Sequence, residues 1–270
     1  MVDAKSPDVA SAEAAKFLKV PYRIELVPGG FVKVALRGGQ FSNIPAQRWC
    51  MTSFAAKHNT TGKTGLVTAG HCVSSSPNTI SLNDGGTNYA MTQGAPLDSG
   101  TAGDLMFLSG TPTAVAEFYY DGTGSVRSVT GTRSRANTTV GNGTLTTAGT
   151  TTGSFVCHLG QQTLGSSNVV QSCGEVVSTM ANRTTGAFTG GSYVLVRNTQ
   201  SGAGTLQTTG TGTLLCFQGD SGGPWFANTI AFGVMSACAW QNGITNGTVE
   251  YSMYTSVETF PSIGVTILVK

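Results

Sequence analysis

Apolar and polar positions alternate along most of this chain in short runs cut by Gly, Asn, Thr and Ser. Tyr22-Arg23-Ile24-Glu25-Leu26 and Phe31-Val32-Lys33-Val34-Ala35-Leu36 are the first two, with Pro28-Gly29-Gly30 between them as a hairpin turn. A repeat of two matches side chains pointing alternately to the two faces of a strand. Further β-type runs follow at Cys50 to Phe54, Gly65 to Ala69, Asp104 to Leu108, Glu117 to Tyr120 and Phe155 to His158. The series continues at Glu175 to Thr179, Tyr193 to Val196, Thr213 to Phe217, Ile230 to Ser236 and Val249 to Tyr254. Strands this closely spaced, with turn residues between them, indicate an all-β sandwich or barrels rather than alternating β and α. Only residues 9–19 have helix-favouring composition, and Pro21 stops them. With the hairpin they read as an N-terminal extension over residues 1–36, either packed on the body or left from a pro-segment. Ser128 to Thr152 is poor in apolar residues; it joins two halves or forms one long loop. Val257 to Val269 is apolar enough to pack back on the core, with its structural type left open. No solenoid-type repeat is visible.

Composition narrows the function. The 270 residues include 37 Gly, only 10% are charged, and the formal net charge is +2. That length fits one large all-β unit or two smaller barrels. The charge is too low and scattered for a nucleic-acid binder. No apolar run approaches the roughly 18 residues of a spanning helix, so no membrane partner is expected. The six cysteines form no CxxC pair and the histidines are only His58, His71 and His158, so no metal and no other cofactor is expected. An even cysteine count in a Thr/Ser/Gly-rich chain points to disulfides and an extracellular, oxidising setting. Met1 to Lys5 has no apolar signal core, so that expectation carries with it an export signal already removed. Asn-x-Ser/Thr acceptors begin at Asn59, Asn137, Asn142, Asn182 and Asn246, and bear on the protein only if a eukaryote secretes it.

Three stretches carry chemistry. Gly219-Asp220-Ser221-Gly222-Gly223-Pro224 is a run of turn formers between apolar Leu214 to Phe217 and Trp225-Phe226. A serine there can project its hydroxyl, with unencumbered amides beside it, as an acyl-transfer nucleophile with an oxyanion hole requires. Thr68-Ala69-Gly70-His71-Cys72 ends an apolar strand and places a histidine beside a cysteine. Gly103-Asp104-Leu105-Met106-Phe107-Leu108 puts an acid at the mouth of another strand, where a partly desolvated carboxylate needs a partner such as an imidazole N–H. Asp98, in Leu97-Asp98-Ser99-Gly100, is the competing acid, though its polar setting favours a turn role.

These motifs, in the order His, Asp, Ser, resemble the chymotrypsin-fold serine endopeptidases, and more narrowly the bacterial branch of α-lytic protease and the streptogrisins. Cys157-His158-Leu159-Gly160 with Cys173-Gly174-Glu175-Val176 is similar to that branch's midchain disulfide loop. Gly233-Val234-Met235-Ser236 resembles its substrate-binding strand, and Tyr254-Thr255-Ser256-Val257 its C-terminal strand. The resemblance covers about residues 38–260 and implies two six-stranded antiparallel Greek-key barrels with the active site between them. The first spans 37–138 with His71 and Asp104; the second spans 139–270 with Ser221. It implies Ser221 as nucleophile, His71 as base then acid, Asp104 as orienting carboxylate, and the Gly219 and Ser221 amides as oxyanion hole. It also implies the bridges Cys50–Cys72, Cys157–Cys173 and Cys216–Cys238.

Residues Leu215 to Gln218, including Phe217 and Gln218, with Met235, Ser236 and Ala237, would by the same resemblance line the specificity pocket. No acid precedes Cys216 and Met235 stands where glutamate-specific relatives place a histidine, so cleavage after apolar residues is expected. Where the α-lytic pattern has an Arg paired with the Asp before the nucleophile, this chain has His158, expected to contact Asp220 and support the oxyanion loop. Cys238 follows Ala237 at once, which shortens the strand that would hold the substrate backbone. No free Ile-Val-Gly-Gly-like start is visible, and His58 reads as a solvated loop residue. The expectation is a secreted, monomeric endopeptidase acting on proteins or peptides, with a pro-segment or protein inhibitor as a further partner. The alternative is an inactive protease homologue that binds proteins or glycans.

Overall fold

Valine, isoleucine, threonine and aromatic residues fill the expected runs, and their branched side chains suit a pleated, half-buried surface. A computed structural model describes residues 24–27, 31–34, 36–44, 48–72, 79–84, 87–111, 113–121, 124–141, 153–161, 169–185, 187–198, 214–239 and 247–270. The helix-favouring stretch 9–19, the turn 28–30, residues 142–152 and the acceptors Asn142 and Asn246 lie outside those residues. The two N-terminal runs pair as the antiparallel strands Ile24–Val27 and Phe31–Val34.

Two large, mainly antiparallel sheets carry most of the rest, beside a three-stranded sheet of Val126–Ser128, Ala114–Tyr119 and Leu36–Gly38 and the pair Leu215–Cys216 with Gly247–Thr248. In the first, Ala55–His58 pairs with Thr64–Thr68, which pairs with Gly103–Gly110. The path continues through Thr87–Gln93, Thr79–Asp84, Phe41–Ile44 and Arg48–Met51. Leu97–Ser99 pairs with the first residues of Gly103–Gly110, setting Asp98 opposite Asp104. The second sheet runs Ile230–Ala239, Pro224–Ala227, Phe155–Gln161, Val169–Ala181, Tyr193–Arg197 and Tyr251–Ser256. Tyr251–Ser256 then pairs back onto Ile230–Ala239, closing an antiparallel barrel of six strands. The all-β expectation holds and one barrel closes; the pairings of the first sheet form an open path among the described residues.

The Tyr-Val-Leu-Val run of Tyr193–Arg197 does not alternate because both its faces are buried, Val194 and Val196 in one apolar cluster and Tyr193 and Leu195 in another. Between the sheets lies a shared apolar core: Met51, Phe54, Val67, Leu105 and Phe118 from one side meet Leu159, Phe226 and Val234 from the other. Phe118 packs on both Phe54, at 5.2 Å between ring centroids, and Phe226, at 4.9 Å. Each fully buried Phe contributes about 1.5–3 kcal/mol, so this junction resists separation of the two sheets. The C-terminal segment does pack back. Val257–Ile263 forms a 3-10 helix ended by Gly264 at φ 72°, and Val265–Ile267 then pairs with Ala55–His58.

Candidate active site

His71 sits in the single 3-10 turn Gly70–Cys72 that ends the strand Thr64–Thr68. The Cys50–Cys72 bridge ties that turn to the neighbouring strand Arg48–Met51. Asp104 lies fully buried at the start of Gly103–Gly110, and Ser221 follows the turn between Leu215–Cys216 and Pro224–Ala227. Residues 33 and 150 positions apart therefore meet: His71 Nδ1 lies 2.7 Å from Asp104 Oδ2, and Nε2 lies 2.8 Å from Ser221 Oγ. An ionised carboxylate only accepts, so Nδ1 carries the proton and Nε2 is free to accept from the serine hydroxyl.

Asp104 is held from several sides. The His71 backbone N–H donates to Oδ1 at 2.9 Å, Ser236 Oγ donates to Oδ2 at 2.5 Å, and the Asp104 N–H donates to Thr255 Oγ1. Burial opposes its charge, but the hydrogen bonds and charge of His71, with Ser236, outweigh burial and hold the carboxyl below its ordinary value. Arg183 Nη1 also donates to Oδ2, at 2.9 Å. Asp98, the competing acid, does not reach the imidazole; it occupies the strand Leu97–Ser99 and accepts from Arg183 Nη2.

The turn before Ser221 is built on Gly219. Asp220 N–H donates to Phe217 O at 3.1 Å, and Gly219 adopts φ 109° at the third position of that turn, where a side chain would be strained. Ser221 O accepts from Met51 N–H, while the N–H groups of Gly219 and Ser221 donate to no partner among the described residues. Two unclaimed amides next to the hydroxyl are what an oxyanion would need. Gly222 is required for close approach: at φ 89°, a Cβ there would lie 2.0 Å from Met51 O and 2.3 Å from Thr68 Oγ1.

The expected His158–Asp220 contact is not formed. His158 Nε2 pairs instead with Leu215 O at 2.8 Å and Ser172 Oγ at 2.7 Å, and its ring packs on Trp225 at 4.8 Å. The physical reason is burial without a counter-charge: burial pushes the imidazole down to about 4, so it is neutral and offers no ion pair. Asp220 is held by backbone amides, from Gln161 to Oδ1 at 2.8 Å and from Phe217 to Oδ2 at 2.9 Å. Burial nevertheless pushes its carboxyl up to about 7, against the pull of those amides. The support expected of His158 comes from Gln161, whose Nε2 also donates to Gln218 O at 2.8 Å.

Of the residues expected to line a pocket, Phe217 and Ala237 are half-buried and Gln218 is exposed. Met235 instead lies in the core, its sulfur 3.2 Å from both Trp225 Nε1 and Ser252 Oγ. Ser236 is buried, with its hydroxyl turned to Asp104. The bridges Cys50–Cys72, Cys157–Cys173 and Cys216–Cys238 are all present. Residues 199–213 and 240–246, beside this region, lie outside the described residues. Sequence reasoning missed Arg183, Gln161 and Thr255, because each acts on a residue far away in the chain.

No protein-family model matches the chain, and no curated protein matches it in sequence. In three dimensions it is similar to Thermobifida fusca Protease A, at 20% identity and TM-score 0.56, covering 87% of this chain and 100% of that one. It is similar to Nocardiopsis protease at 20% identity and TM-score 0.54, covering 87% and 99%. It is similar too to Cellulomonas bogoriensis chymotrypsin at 18% identity and TM-score 0.56, covering 87% and 100%. The chain thus has the chymotrypsin-like fold of bacterial serine proteases.

Proposed function

We propose that the chain is a serine endopeptidase that works through an acyl-enzyme. The observation that carries this reading is the continuous chain Asp104–His71–Ser221, with both hydrogen bonds under 3 Å. Ser221 Oγ attacks the scissile carbonyl while His71 Nε2 takes its proton. Asp104 holds the tautomer and balances the imidazolium, which then returns the proton to the leaving amine. The unclaimed amides of Gly219 and Ser221 receive the oxyanion. Its fold neighbours are proteases, and three disulfides suit the secreted setting expected above. An inactive homologue has no need of this alignment together with two free amides.

Cleavage after apolar residues is the accompanying proposal. Leu215, Phe217 and Ala237 contribute no charge beside the nucleophile turn, and buried Met235 and Trp225 back them with apolar surface. A peptide library digested by the processed protein, with Ser221→Ala as control, tests both parts. We expect Ser221-dependent cleavage, fastest after apolar residues. Fastest cleavage after Arg or Glu would overturn the preference, and cleavage that persists in Ser221→Ala would overturn the assignment.

A further inference from the structure

We propose that Arg183 is a positioning residue for the triad: it shares the Asp104 carboxylate with His71 and sets the charge that the imidazole feels. The assignment deepens the peptidase reading and rests on it. Its starting point is an unusual pairing. Asp98 and Asp104 are directly opposite on adjacent antiparallel strands, which puts two carboxylates on one face. Like charges so placed repel. Arg183 lies between them, with Nη1 donating to Asp104 Oδ2 at 2.9 Å and Nη2 donating to Asp98 Oδ1. A planar guanidinium can span two acids in this way, whereas an ammonium is a single point charge.

The position is built rather than incidental. Arg183 is in a turn where Asn182 Oδ1 accepts from the N–H groups of Thr184 and Thr185. Arg183 N–H donates to Gly100 O, and Ser192 donates to Thr101 O through both its N–H and its hydroxyl. Thr184 packs so closely that a Cβ on Gly100 would lie 1.6 Å from its hydroxyl oxygen. Tyr193, below the guanidinium at 5.7 Å, donates its hydroxyl to Ser99 O. The turn at 182–185 is thereby fastened to the end of the strand Leu97–Ser99 and the turn that follows it.

Nη1 stands 3.5 Å from His71 Nδ1. Both nitrogens are donors aimed at one oxygen, so the guanidinium opposes a positive charge on the imidazole while holding the acid's rotamer. The titratable groups facing this cluster are Asp98, Asp104, Arg183 and Tyr193. Burial works against the Arg183 charge, but Asp104 and Asp98 outweigh it and hold the guanidinium above its ordinary value, as a permanent cation. Burial raises Tyr193 as well, which keeps it neutral. Among the described residues, only the two acids and the arginine therefore supply charge around the imidazole.

The test follows the His71 ring titration by NMR in a Ser221→Ala background, and in parallel the acid limb of kcat/KM in the active protein. Removing a cation about 4 Å away moves the midpoint to higher pH by about 0.7 unit even at the dielectric of water. Arg183→Met should therefore raise both midpoints by at least that amount, and Arg183→Lys should hold them near the original. Asp98→Asn, which leaves Arg183 without its second counter-charge, should move them the opposite way. The two opposed signs distinguish an electrostatic role from a merely structural one. Unmoved midpoints in folded Arg183→Met, or equal movement in Arg183→Met and Arg183→Lys, would overturn the proposal; if Arg183→Met does not fold, an unmoved or upward midpoint in Asp98→Asn does so. If the unmodified protein hydrolyses nothing while the NMR shifts appear as stated, the peptidase reading falls and the Arg183 assignment stands.

Discussion

Asp104 is a buried acid whose every oxygen is accounted for: one by the His71 amide, the other by His71 Nδ1, Ser236 and Arg183. Such a carboxylate has little freedom to rotate, so the imidazole it grips is held in one tautomer. At the nucleophile the constraint is steric. Gly222 → Ala places a methyl group 2.0 Å from Met51 O, on a backbone at φ 89° that L side chains rarely adopt. Strain and overpacking together cost about 3 kcal/mol or more. For a chain of this size we expect Tm to fall by roughly 6–12 °C, with activity lost because Ser221 is carried on the displaced turn. Differential scanning calorimetry reads the first effect; an unchanged Tm would mean the loop relaxes freely.

At the scale of elements, the strands were legible because their periodicity is local: Gly65 to Ala69 and Asp104 to Leu108 coincide with Thr64–Thr68 and Gly103–Gly110 within a residue or two. The motifs around His71, Asp104 and Ser221 were legible too, since turn residues and small amides carry their chemistry in sequence. What supports those motifs was not. Gln161 reaches Gln218 across 57 positions, and Arg183 reaches Asp104 across 79, so neither leaves a mark in its own neighbourhood. His158 misled for the opposite reason. Its place beside Cys157 suggested a substitute ion-pair partner, but full burial against Trp225 leaves it neutral and paired with Leu215 and Ser172. A strand's register, which the sequence does not state, decides where the side chains of Met235 and Ser236 go: one faces the core and the other Asp104.

For the whole molecule, His158 and Asp220 make opposite contributions to stability with pH. Asp220 is raised from 3.8 to about 7, so the folded chain keeps a proton that the unfolded chain has released. Its stabilisation is complete below 3.8 and lost as pH rises to about 7. His158 is lowered from 6.5 to about 4, so its stabilisation is complete above 6.5 and lost as pH falls to about 4. Between about 4 and 6.5 the two slopes cancel. Urea unfolding in a Ser221→Ala background should uncover them separately. His158→Gln should lose about 1.4 kcal/mol per pH unit as pH rises across that window, and Asp220→Asn should lose as much as pH falls. Variants that both parallel the parent would contradict this pairing. The closed barrel, the apolar junction and three bridges all serve to keep the triad's parts in register. The central claim, an activated Ser221, is tested most directly by reacting the folded, processed protein with a fluorophosphonate and locating the adduct by mass spectrometry. The account predicts one stoichiometric adduct on Ser221, abolished by His71→Ala. No adduct on Ser221, or one that forms equally fast without His71, would contradict it.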